Sequence, residues 1–260
     1  IKDFVLNAVK DPIPGEAQDS QTGLSALLSP TRVPDLQESP VSLASNQTAF
    51  TKEQKKAILN EIHKHCGGRI EEAEESLQKI DTSGLITTQN REAIFIILKE
   101  IPQYAKDDTW KAYDSLTDLL KTGILTETNY KKILEDFSVI LKEIPQYAGI
   151  YTSNAYSSLT RLLKTGLITE TNQEHIFTIL KEIPQYAGRY TYYAYGSLTN
   201  LLETGLITET NYKKILEDFS VILKEIPRYA KDATWQAYYS LADLLETGLI
   251  TETNQEHIFT

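Results

Sequence analysis

Apolar residues recur at helical spacing along most of this chain. Ile176, Phe177, Ile179, Leu180 and Ile183 mark one helix face, and Ala194, Tyr195, Leu198, Leu201 and Leu202 mark the face of the next. Steps of three and four residues bring such side chains together because a helix turns once in about 3.6 residues. The same two-helix pattern returns across 84–260. Equivalent glycines close it at Gly84, Gly123, Gly166, Gly205 and Gly248, with spacings that alternate between 39 and 43 residues. A glycine past a helix end takes the left-handed conformation, and Leu206 stands where such a cap makes its hydrophobic contact.

The recurrence is literal. TETNYKKILEDFSVILKEIP fills 126–145 and again 208–227, and GLITETNQEHIFT fills 166–178 and again 248–260. Tandem periods of this size build stacked two-helix units. The long units differ from the short ones by four residues placed before the shared ILKEIP, inside an apolar-periodic run. Four residues are close to one helical turn, so the long units carry a first helix one turn longer with its buried face in phase. The first helix is expected to start near Thr169, with Glu170 suiting the positive end, or two residues on at Thr171. Pro184 is expected to stop or kink it.

These readings give an all-α fold, an α-solenoid of two-helix repeats alternating 39 and 43 residues. Repeats occupy 84–122, 123–165, 166–204 and 205–247, with a partial unit at 248–260. Residues 51–83 read as a divergent N-terminal capping helix pair, broken at Gly67-Gly68, whose second helix RIEEAEESLQKI is strongly acidic. A terminal unit has one face without a neighbour, so a polar sequence is expected there. Residues 1–50, with five prolines and many Ser and Gln, read as a flexible segment. It contains an Asn46 glycosylation sequon of the common three-residue kind. The chain starts at Ile1 and stops at Thr260 inside a pattern that earlier copies complete, which reads as a piece of a longer protein.

In ILKEIPQYAKDDTWKAYDSLTDLL the order is first-helix end with Pro102, a turn with Asp107, then a second helix with Lys111. That arrangement resembles the HEAT and armadillo helical repeats, over about 84–260 and in architecture only. The next unit departs from it, with Ile150 and Asn154 at the Asp107 and Lys111 positions. The resemblance implies a right-handed superhelix and a binding role.

Net charge is −10. Such a chain repels phosphate backbones, which disfavours nucleic acid as a partner. The single cysteine, Cys66, excludes an intrachain disulfide and leans toward a reducing, cytoplasmic setting without fixing one. No apolar run approaches the length of a membrane span, so no membrane insertion is expected.

All four second helices keep the residues seen at Ala112, Tyr113, Ser115, Leu116, Leu119 and Leu120. Other positions change from copy to copy. One set is Asp107, Ile150, Arg189 and Asp232. A second is Lys111, Asn154, Tyr193 and Gln236. A third is Asp114, Ser157, Gly196 and Tyr239, and a fourth is Asp118, Arg161, Asn200 and Asp243. Spacings of four, three and four put these on one face across the turn and second helix. Trp110, Tyr151, Tyr190, Tyr192 and Trp235 lie beside them. A constant framework with a variable, aromatic-rich stripe is the pattern of a recognition surface, because Tyr and Trp bring large area at little entropic cost. Drift on a solvated face is the alternative, and Trp110 and Trp235 could instead fill gaps between units.

Other constellations are thin. His63 and Cys66 share a helical face with the spacing of two metal ligands, but no CxxC or HExxH accompanies them. His175 and His257 have no nucleophile evidently placed beside them. No catalytic residue, cofactor or metal site is expected. The expected function is a non-enzymatic scaffold or adaptor for a protein or peptide, its oligomeric state open. A regulatory or sensor arm of a larger enzyme is the alternative, with a nucleic-acid-binding helical repeat behind it.

Overall fold

The computed structural model describes residues 49–248 and residue 250. The segment 1–50 apart from its last two residues, the Asn46 sequon, His257 and most of the unit 248–260 lie outside the described residues. Among the described residues the protein is all-α. Ten α-helices follow in order: α1 (Lys52–His65), α2 (Ile70–Thr82), α3 (Arg91–Ala105), α4 (Thr109–Lys121), α5 (Tyr130–Ala148), α6 (Thr152–Lys164), α7 (Gln173–Ala187), α8 (Thr191–Glu203), α9 (Tyr212–Ala230) and α10 (Thr234–Glu246). Each odd-numbered helix packs on the next odd-numbered one, each even on the next even, and each odd helix packs on the even helix that follows it. The result is two layers of helices side by side. No helix among the described residues is long and apolar enough to cross a membrane.

The core lies between the layers. From the first layer come Ile94, Leu98, Ile101, Phe137, Ile140, Ile144, Phe177 and Phe219, and from the second the Ala, Tyr and Leu positions kept in every copy. Phe137 and Phe177 meet edge to face, with ring centroids 6.4 Å apart. The α3 and α7 helices have 15 residues, and α5 and α9 have 19. The four additional residues therefore stand within helices, where they extend a buried face by about one turn.

Two local expectations need correction. The prolines do not end the first-layer helices. Pro102, Pro145, Pro184 and Pro227 lie inside them, and each helix runs on to an alanine three residues later. The stop is the next residue, Lys106, Gly149, Gly188 or Lys231, with φ between 48° and 57°. A short 3-10 turn follows. Its first carbonyl accepts the hydroxyl of the residue that opens the second-layer helix, for example Thr191 to Gly188 at 2.6 Å.

The starts also differ. Helix α7 begins at Gln173 with Asn172 as its N-cap, three residues past Thr169 and one past the alternative Thr171. Asn172 organises the approach: its Oδ1 accepts from Thr169 N at 2.8 Å, and its Nδ2 donates to the Leu167 carbonyl at 3.0 Å. The same pair of bonds forms at Asn90, Asn129 and Asn211. A short side chain that serves both an N–H and a C=O makes a tight turn more favourable than early helix entry. At the N-terminal end, Asp81 is the anchor: Phe50 N donates to its Oδ1 at 2.9 Å, and Lys55 pairs with it.

Candidate binding face

The variable positions all lie on the 3-10 turns and the second-layer helices α4, α6, α8 and α10. Their surroundings differ sharply. Asp107, Ile150, Arg189 and Asp232 project from the turns and are exposed, Ile150 at 89 %. Asp107 accepts from Gly68 N at 3.1 Å, so even this residue ties α4 to the preceding pair. Arg189 lies 4.8 Å from the centre of the Tyr190 ring and donates to its hydroxyl at 2.6 Å.

Further along the helices, the variable residues meet one another across the seams between neighbours. Ser76 of α2 donates to Asp114 at 3.1 Å. Lys111 donates to Ser157 Oγ at 2.8 Å and to the Ser153 carbonyl at 3.3 Å. Asp118 is buried and pairs with Lys164 of α6 at 3.4 Å, beside Lys121 of its own helix at 3.4 Å. Arg161 reaches Glu203 of α8 at 3.3 Å and the Asn200 carboxamide at 3.2 Å. Asn200, also buried, donates to Glu246 at 2.9 Å and to the Ala242 carbonyl at 3.2 Å. Asp118 and Asn200 are therefore seam residues, with no surface to offer a partner. Asn154 and Asp243 are exposed, and Gln236 is half-buried. Burial, with Glu246 nearby, raises the Asp243 carboxyl above its ordinary value.

The aromatic residues form a continuous row. Tyr151 lies 5.7 Å from Tyr192, Tyr192 lies 4.0 Å from Tyr193, and Tyr193 lies 6.4 Å from Trp235, each pair tilted by 31° to 33°. The row crosses from the turn before α6 to the first turns of α8 and α10. Its members up to Tyr193 are half-buried and Trp235 is 41 % exposed; Tyr239, one turn further along α10, is 47 % exposed. Burial and the bond to Tyr193 push the Tyr192 phenol upward. Trp110 stands apart: it packs on the core, with the Lys111 ammonium 5.2 Å from its ring centre. The two tryptophans are thus not equivalent, one filling space beside the core and the other presenting a face to solvent.

A cavity of about 310 Å³ opens on this face where α4, α6 and α8 meet. Lys111, Asn154, Ser157, Ser158, Arg161 and Tyr192 line it. Ser157 belongs to the variable set of Asp114 and Tyr239, whereas Ser158 was not singled out by variability, and the seam partners Lys164 and Glu203 were also missed. The signal for the latter was present: Asp118/Lys164 and Arg161/Glu203 occupy matching positions with opposite polarity.

The other candidates separate in space. Cys66 is buried, its Sγ 3.1 Å from Thr109 Oγ1, and burial raises its thiol pKa. His63 is exposed and bonds Glu74 at 2.5 Å. His175 meets the Tyr212 ring edge-on at 5.4 Å. Among the described residues, no three His, Cys, Asp or Glu side chains gather where they could hold a metal ion. Tyr104 and Tyr186 are packed against the core, whereas Tyr147 and Tyr229, at the same place in the last turn of the longer helices, are exposed.

Comparisons with known protein families, with curated proteins and with solved structures each found no match to this chain.

Proposed function

We propose that this chain is a non-enzymatic binding scaffold, an α-solenoid of two-helix repeats alternating 39 and 43 residues that resembles HEAT and armadillo arrays. Its partner is a protein or peptide held on the second-layer face. The observation that carries this reading is the aromatic row from Tyr151 to Trp235. It joins three successive units and ends at Trp235, which remains open to solvent. Exposed Trp and Tyr side chains beside half-buried ones supply apolar area on a rigid base, which is how binding hot spots are built. Around them the residues change from unit to unit while the core is kept, so specificity can vary without disturbing the fold.

The test uses residues whose removal leaves the core intact. Ile150, Trp235 and Tyr239 are replaced together by Ser, and wild type and variant are used as baits for proteins of the source cell. A protein retained by the wild type and released by the variant, with unchanged helicity, supports the scaffold. Equal capture by both sinks it.

A further inference from the structure

The cavity between α4, α6 and α8 carries chemistry that runs against the rest of the chain. The protein has a net charge of −10, yet the cavity is lined by two cations, Lys111 and Arg161, and by no acid. Helix α6 forms its floor and contains Arg161 and Lys164 with no Asp or Glu. Lys111 is held by neutral acceptors, Ser157 Oγ and the Ser153 carbonyl, and makes no ion pair within 4 Å among the described residues. Asp108 attracts it from nearby and also faces Ser153. Arg161 is anchored on one side by Asn200 and Glu203, which hold the guanidinium without covering it: its side chain stays 56 % exposed. Asn154, Ser157 and Ser158 add neutral polar groups between the cations. Tyr192 closes one wall and begins the aromatic contacts that lead to Tyr193 and Trp235.

We infer that the occupant of this face is an extended segment of a partner protein with one Asp or Glu side chain seated between Lys111 and Arg161 and a large apolar side chain against Tyr193 and Trp235. The inference rests on the scaffold reading above and names its ligand chemistry. The geometry sets a spacing. Neighbouring packed helices lie about 8–10 Å apart, and an extended chain advances about 3.3 Å per residue. From the floor of the cavity on α6 to the gap between α8 and α10 is roughly one and a half helix spacings, so the acid and the apolar residue stand about four or five residues apart.

The flanks favour a peptide over a nucleic acid. A row of rings beside two cations would also suit a single strand with its bases stacked on them. A phosphate backbone, however, would continue past the cavity toward Asp107 and Asp114 on one side and Asp232 and Asp243 on the other. Those carboxylates repel a continuous anion and suit a peptide whose single acid is flanked by neutral or basic residues.

The experiment is selection of random twelve-residue peptides displayed on phage, using the full 260-residue chain as bait. The variant Lys111→Glu/Arg161→Gln and the variant Ile150→Ser/Trp235→Ser/Tyr239→Ser are run in parallel, each checked for unchanged helicity. The expected result is enrichment of peptides with an acid four or five residues from Trp, Phe, Tyr or Leu. These peptides should lose at least tenfold in affinity to the Lys111→Glu/Arg161→Gln protein, and selection on that protein should no longer favour acids. Should the double variant fold poorly, Lys111→Gln alone should still lower affinity severalfold for the acidic peptide and leave its Asp→Asn or Glu→Gln counterpart unaffected. Peptides enriched without an acid, yet released by the serine variant, overturn the inference and leave the scaffold reading standing. No enrichment by the wild type overturns both. Tighter binding of an oligothymidylate than of the selected peptides overturns the peptide assignment.

Discussion

Pro145 and Tyr156 act on one carbonyl from two helices. The proline lacks the N–H that would bond the Leu141 carbonyl four residues back, and the Tyr156 hydroxyl donates to that carbonyl at 2.7 Å. The relation holds in every copy: Pro102 with Tyr113 at Leu98, Pro184 with Tyr195 at Leu180, and Pro227 with Tyr238 at Leu223, at 2.8, 3.2 and 2.9 Å. These tyrosines are buried, so an unpaired hydroxyl or carbonyl there would be costly. Proline thus creates an acceptor inside a helix, and the phenol locks the second-layer helix onto it.

A coupled outcome follows for this pair. Tyr156→Phe leaves the Leu141 carbonyl without its donor and should lower stability by about 1–3 kcal/mol in urea unfolding. Pro145→Ala restores a backbone N–H aimed at the same carbonyl. In the Pro145→Ala background the loss caused by Tyr156→Phe should shrink by about 1 kcal/mol. Strict additivity of the two changes would show that the phenol is not the proline's replacement donor.

This pairing explains where the sequence could be read and where it could not. The helical class was legible because the apolar spacing of Ile176 to Ile183 and Ala194 to Leu202 reports burial on one side, and burial is what holds the helices. The stop expected at Pro184 does not occur, because that rule is local whereas the tyrosine that satisfies the freed carbonyl lies on the next helix. Asn172 was passed over for Thr169 because Glu170 beside that threonine suits the positive helix end, whereas the two-bond turn at Asn172 depends on the Leu167 carbonyl. At the candidate face, variability located the positions but not their partners. Asp118 and Asn200 vary as exposed residues do, yet they are buried, because they vary together with Lys164 and Glu246 across a seam.

Lys231 offers a test of backbone strain. It has φ 48° at the end of α9, where two of the four equivalent positions, Gly149 and Gly188, are glycine at 57° and 55°. A side chain in this region is disfavoured by about 1–3 kcal/mol, while glycine in the unfolded chain gives back part of the gain through its greater freedom. Lys231→Gly should therefore raise stability by about 1 kcal/mol in urea unfolding. A destabilised variant would mean that the lysine side chain holds the turn.

Arg161 and Glu203 carry the opposite polarity from Asp118 and Lys164 one seam earlier. Each seam is thereby matched to its own neighbour, and an exchange of order would set Asp118 against Glu203. Both Arg161 and Glu203 are about half exposed, so Arg161→Glu should cost no more than about 1 kcal/mol. Glu203→Arg in the same chain should recover most of it, and the recovery should weaken in high salt. Equal losses from the single and double variants would show that the pair contributes through packing and not through charge.

Asp108 supplies the pH dependence. Burial raises its carboxyl above the usual aspartate value, and the Ser153 bond and the Lys111 charge offset that only in part. The folded chain then holds the proton more tightly than the unfolded chain. As pH rises through the ordinary value, about 3.9, the unfolded state ionises first and folding loses free energy until the folded carboxyl has ionised too. Asp108→Asn removes this loss and keeps an oxygen that can accept from Ser153. The variant should be more stable than the wild type at pH 7. Its advantage should shrink as pH falls and be absent well below the ordinary aspartate value, where the acid is protonated in both states. Urea titrations at pH 7 and near pH 3 measure this. An advantage that stays constant across that range would mean that asparagine improves the helix start by itself, and that burial of the Asp108 charge is not the cause.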